Sequence, residues 1–95
     1  MFDIKMRFDN YRFKVVLIKT NSLKMSIDEK IYRITKEDLD NLFRILIHFD
    51  EKTSSNLLDP IFYYIELNDT TYEGDSRSNK NFYMLNDWLG DIYDR

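Results

Sequence analysis

One histidine, six serines and no cysteine leave this chain few groups with which to do covalent chemistry. A nucleophile needs an adjacent base. Ser22, Ser26, Ser54, Ser55, Ser76 and Ser78 instead fall in or beside turn-like sequence, with no G-x-S-x-G elbow. His48 falls on the outer side of a predicted helix, near Glu37, Asn41 and Arg44. The expectation there is a solvated imidazole, since no partner or pocket is indicated for acid–base work. Zinc would lack ligands, and no Walker A or dinucleotide glycine pattern offers a phosphate cradle. Asp69-x-Thr71-x-Glu73-Gly74-Asp75 imitates the opening of a calcium loop, but Lys80 stands where that loop needs a bidentate acid. A polar turn after a hairpin is the expectation. No cofactor and no metal are expected, and the chain reads as non-enzymatic; hydrolysis by paired carboxylates is the remaining catalytic alternative.

The acids of the last segment say more. At about 100° per residue, Asp87, Asp91 and Asp94 share one side of a helix with Tyr83 and Gly90, opposite Phe82, Leu85, Leu89 and Ile92. Like charges at such spacings repel, and carboxylates near a helix C-terminus oppose the macrodipole. Such a face either meets a basic partner or only keeps the helix solvated. Its spacing resembles the phosphate rows that small inhibitor proteins imitate with carboxylates. A second acidic group comprises Glu66, Asp69, Glu73 and Asp75, interleaved with Tyr63, Tyr64 and Tyr72. If the two groups are neighbours they form one negative patch, with tyrosines of the kind that make binding hot spots. The candidate partner-binding set is therefore Asp87, Asp91, Asp94, Tyr83, Glu66, Asp69, Glu73, Asp75 and Tyr72.

These groups must be held by elements that the sequence also outlines. Phe2, Ile4, Met6 and Phe8 alternate with charged residues, the period of a half-buried strand. Tyr11, Phe13, Val15 and Leu17 alternate again after Asp9-Asn10. Leu23, Met25 and Ile27 follow Thr20-Asn21-Ser22, and Ile31 to Ile34 follows Asp28-Glu29. Residues 2–34 thus read as an antiparallel meander of three or four strands. Thr35 with Asp38 makes a near-capping box. Leu39, Leu42, Phe43, Leu46 and Ile47 then form the core stripe of a helix, widened by Ile45 and Phe49. A polar loop from Asp50 to Asp59 closes at Pro60. Ile61 to Leu67 is rich in strand formers, Asn68-Asp69 turns into Thr70-Thr71-Tyr72, and Glu73 to Asn79 reads as loop with Gly74 free to take positive φ. In the final helix Trp88 falls at the edge of the apolar stripe. The fold expected is one α+β domain over residues 1–95: a two-layer sandwich with an antiparallel sheet of about five strands packed by two helices.

Charge divides unevenly. Residues 1–36 carry nine Lys and Arg against four Asp and Glu, whereas residues 37–95 carry five against thirteen. The acidic excess disfavours a general nucleic-acid binder. The basic stretch from Lys5 to Lys36 interleaves with Phe2, Phe8, Tyr11 and Phe13, but period 2 puts those aromatics on the core face. Absence of cysteine, of a secretory h-region and of a long apolar run leads to the expectation of a soluble, cytoplasmic protein without membrane contact. Heavy use of Lys, Asn, Ile, Asp and Tyr suggests an AT-rich genome, common in phages and low-GC bacteria. The favoured reading is a non-enzymatic inhibitor that binds another protein and covers a basic nucleic-acid groove, as an anti-CRISPR-like anti-defence protein would. An immunity protein that neutralises a toxin is the alternative. So is a homodimeric structural or regulatory domain with its seam at Ile45 and Phe49.

Overall fold

The computed structural model describes residues 3–49 and 59–95. Phe2, the polar stretch 50–58 and its Ser54 and Ser55 lie outside the described residues. The elements are β1 (Ile4–Asp9), β2 (Val15–Lys19), β3 (Lys24–Ile27), β4 (Lys30–Arg33), α1 (Lys36–Ile47), β5 (Phe62–Leu67), β6 (Thr70–Asp75) and α2 (Phe82–Tyr93). One six-stranded sheet has the order β4-β3-β2-β1-β5-β6, with every neighbour antiparallel. The meander runs outward from β1 to β4, and the chain returns through α1 to pair β5 on the other side of β1. A two-layer α+β sandwich results, with six strands rather than about five.

Tight turns join the strands. Asp28 and Glu29 both take positive φ, as a two-residue hairpin of the primed type requires. The Asp28 carboxylate accepts from the amides of Lys14 (3.0 Å) and Val15 (2.8 Å), which ties this turn to the start of β2. Asn68 takes positive φ at the β5–β6 turn. Gly74 differs from expectation: it lies inside β6 and has no positive φ. Its register partner is Tyr63, and a Cβ at Gly74 would stand 2.8 Å from the Tyr63 hydroxyl. The position is glycine because a ring lies across it.

The alternation matches the buried side of β1, β3 and β5, but on β2 the structure corrects it. There Val16 and Ile18 are buried opposite Met6 and Ile4, while Val15 and Leu17, expected to continue the face of Tyr11 and Phe13, turn away from the helices. Ile4, Met6, Phe8, Val16, Ile18, Met25, Ile27, Tyr63 and Ile65 face the helices and are buried, so these strand aromatics are core. Lys5, Arg7, Leu17, Lys19, Lys24, Arg33, Phe62, Tyr64, Glu66 and Glu73 take the other face.

α1 begins with the expected capping box: Thr35 Oγ1 accepts from the Asp38 amide (3.0 Å), and Asp38 accepts from the Thr35 amide (2.8 Å). Its C-terminal end corrects the sequence reading. Ile47 is 73% exposed, while Phe49 is fully buried against Tyr63, Tyr72 and Phe82. The helix stops at Ile47, and the turn through His48 swings Phe49 inward to the place the helical period gave Ile47. A seam at Ile45 and Phe49 is therefore not available, since Phe49 is core and Ile45 is packed against it. Among the described residues no helix is long and apolar enough to cross a membrane.

Candidate protein-binding surface

α2 is fixed from three sides, which determines what its fourth side presents. At its start, buried Asn79 donates to the Phe49 carbonyl and, at 2.9 Å, to the Tyr63 hydroxyl. Asn81 donates to the His48 carbonyl at 2.5 Å. These amides satisfy carbonyls at the end of α1, which no helical bond can reach. Beneath the helix Phe82, Leu85, Leu89 and Ile92 are buried on the sheet. Trp88, expected at the edge, is itself buried, and its Nε1 donates to the Asp38 carbonyl at 2.9 Å. At the far end Arg95 grips the Asp38 carboxylate with both Nη atoms at 2.6 Å. The Arg95 hydrogen bonds, aided by those from Thr35, hold the Asp38 carboxyl far below the usual range despite its burial. The two helices are thus antiparallel, locked at both ends. Along one flank Tyr11 donates to Asn86 at 2.5 Å, and burial raises the Tyr11 pKa.

Among the α2 residues left facing out, Tyr83, Asp87, Asp91 and Asp94 fall within an arc of about 80° at helical spacing, with exposed Met84 and Tyr93 outside it. None of the three carboxylates forms an ion pair among the described residues. Arg95 is committed to Asp38, although Asp91 lies near enough to stabilise its charge. Arg12 borders the arc. Its guanidinium stacks over the Phe13 ring (4.5 Å) and lies 6.0 Å from that of Tyr93. It also covers Gly90, which is buried rather than outward-facing as the helical wheel implies. The helix carries no basic residue in its last turn and no acid in its first, so its charges oppose the macrodipole at the C-terminus.

The second acidic group goes elsewhere. Glu66 and Glu73 point to the sheet face away from the helices, Glu66 beside Lys5 and Glu73 beside Tyr64. Asp69 is exposed in the β5–β6 turn. Asp75 serves its own turn, accepting from the amides of Arg77 (2.8 Å) and Ser78 (3.0 Å), with Arg77 Nε 3.9 Å away. Tyr72 is half-buried, edge-on to Phe49. The hairpin acids and the α2 acids therefore sit on opposite sides of the sandwich, and the fold does not join them in one patch.

That second face holds apolar residues outside the candidate partner-binding set. Phe62 is 50% exposed, Ile31 61% and Val15 39%, with Leu17 and Tyr64 half-buried between them. The Arg7 guanidinium lies 4.9 Å above the Tyr64 ring. Two shallow depressions open here. One of 680 Å³ is lined by Arg7, Phe62, Tyr64 and Glu73, the other of 590 Å³ by Leu17, Ser26 and Glu29, and Lys14 and Val15 edge both. The signal was present in the alternation, since Phe62 and Tyr64 must lie opposite Tyr63 and Ile65. These linings mix cations, carboxylates and apolar groups. Among the described residues no three His, Cys, Asp or Glu side chains are grouped to hold a metal ion. Comparison of the chain with protein-family models, with curated proteins and with solved structures finds no match.

Proposed function

We propose that this protein works by binding another protein, without catalysis, through the exposed side of α2. The observation that carries the reading is the arc of Tyr83, Asp87, Asp91 and Asp94, whose carboxylates have no ion-pair partner among the described residues. Charges that oppose the macrodipole and repel each other lower helix stability by a few tenths of a kcal/mol each. A partner with a basic surface would offset that and would be steered to the site electrostatically. In its narrower form the partner's surface is a nucleic-acid groove. The chain is then a cytoplasmic inhibitor of the anti-defence, anti-CRISPR-like kind, its carboxylates standing in for phosphates. The lack of cysteine fits a reducing compartment. An immunity protein would use the same surface against a toxin, and the identity of the partner separates the two.

The test begins with cross-linked capture of the partner from the source cells and its purification. Binding is then measured against the variant Asp87→Asn/Asp91→Asn/Asp94→Asn. The expected result is an affinity reduced about tenfold or more, with a shallower salt dependence. Unchanged affinity would mean that the arc is only solvated.

A further inference from the structure

We propose that the surface met by α2 carries a carboxylate set among cations, and that Arg12 is the residue that recognises that carboxylate. This rests on the reading of the arc given above and narrows the partner from a basic surface to a two-signed one.

The ground is the seat the fold makes for Arg12. Gly90 lies in the interior of α2 without positive φ, so the backbone there does not require glycine. An interior helical glycine lowers stability relative to alanine. What the missing Cβ provides is room: one built there would stand 2.9 Å from Arg12 Nη2 and, helix neighbours apart, would meet nothing else within 4 Å among the described residues. The guanidinium in that room stacks on the Phe13 ring at 4.5 Å and lies 6.0 Å from the ring of Tyr93. Stacking uses the face of a guanidinium and leaves its in-plane N–H fork for bidentate contact with a carboxylate.

Helical spacing sets that fork among the acids. Gly90 follows Asp87 by three residues and precedes Asp94 by four, about 4.5 and 6 Å along the axis. The Tyr11 hydroxyl feels both signs: burial raises its pKa most, Arg12 lowers it and Asp87 raises it. Yet among the described residues Arg12 forms no ion pair with Asp87, Asp91 or Asp94. Four unpaired charges of two signs thus share one surface.

That pattern selects its complement. A uniformly basic partner gains from the three carboxylates and loses at Arg12, where like charges meet. A phosphate chain satisfies Arg12 alone and is repelled by the rest. One carboxylate flanked by lysine or arginine satisfies all four, and each single-signed rival is penalised. The rival account of Arg12 is that its stem covers Phe13 and its charge only tempers the acids. The two accounts differ in sign: removing Arg12 strengthens the hold on a basic surface under the second and weakens the hold on a two-signed one under the first.

Two peptides serve as probes, Lys-Lys-Asp-Lys-Lys and Lys-Lys-Asn-Lys-Lys, titrated into the full chain at low salt with the amide resonances of α2 as the readout. The aspartate peptide has the smaller positive charge, so an arc that senses charge alone binds it more weakly. The expected result is that it binds about threefold tighter than the asparagine peptide, because the Arg12 fork accepts its carboxylate. Arg12→Gln should reverse that order. Gly90→Ala, which moves the guanidinium from its seat and keeps its charge, should narrow the difference; circular dichroism verifies that both variants remain folded. Equal or tighter binding of the asparagine peptide by the unaltered chain overturns the inference. So does an order unchanged in Arg12→Gln, or failure of the aspartate peptide to bind. If Asp87→Asn/Asp91→Asn/Asp94→Asn binds both peptides as tightly as the unaltered chain, the reading of the arc itself falls.

Discussion

The two helices share one core but obey opposite rules. α1 has a capping box, acids in its first turn and Arg44 in its last, each in accord with helix electrostatics. α2 has no side-chain cap at Asn81, no acid in its first turn and no base in its last; its carboxylates gather toward the end where they cost stability. α2 nevertheless buries six residues against three for α1, so packing rather than local preference sustains it. A helix held by its buried side can carry an unfavourable outer side, and departures from local rules concentrate where a surface has another task.

If packing sustains α2, the largest loss should come from its buried stripe. Leu89→Ala should cost about 2–5 kcal/mol in urea unfolding, because Leu89 is fully buried beneath the helix. A loss below 1 kcal/mol would break the contrast. In α1 the sensitive point should be the cap. Asp38→Ala removes half the capping box and the bidentate Arg95 contact, for about 1–2 kcal/mol. The same residue sets a pH dependence. Arg95, with Thr35, depresses the Asp38 pKa in the folded state, so this stabilisation is present above the unfolded value of 3.8 and fades as pH falls below it. Asp3 acts in the same direction: burial raises its pKa, but hydrogen bonds from the Thr20 side chain and backbone outweigh that and leave it lowered. Urea melts at successive pH values should therefore show stability falling in acid, with a shallower fall in Asp38→Asn.

Much of this contrast was legible in the residues. Thr35 and Asp38 announce α1 because a cap is a local signal, and Phe82, Leu85, Leu89 and Ile92 announce α2 by period. The alternation in residues 2–34 gave the meander, and with it the burial of Phe8 and Phe13. Other features depend on distant parts of the chain meeting. Nothing local says that β5 pairs with β1, although alternation with the buried Tyr63 and Ile65 already sends Glu66 to the face away from α2. Phe49 displaces Ile47 from the core because the helix ends, and the apolar period does not mark that end. Gly74 reads as a turn glycine until Tyr63 lies across it. Trp88 looks peripheral until Asp38 offers a carbonyl, and Arg12 reaches Gly90 only once the meander lies beside α2.

Smaller changes sharpen the comparison on the exposed side. Asp94→Lys should stabilise the protein by about 0.3–1 kcal/mol, since a cation belongs at that end of the helix; thermal unfolding at low salt is the measurement, and the gain should shrink as salt is added. Gly90→Ala places a Cβ 2.9 Å from Arg12 Nη2, the mobile end of an exposed side chain. The gain in helix propensity, about 0.5–1 kcal/mol, should exceed the loss from moving Arg12, for a net stabilisation of a few tenths.

The central claim is that the carboxylates of α2 lower stability in order to meet a basic partner. Melting temperature and affinity for the purified partner, measured together on Asp87→Asn/Asp91→Asn/Asp94→Asn, test it most directly. The account predicts that the variant melts higher and binds more weakly. A higher melting temperature with undiminished binding, at low salt as well as high, would contradict it.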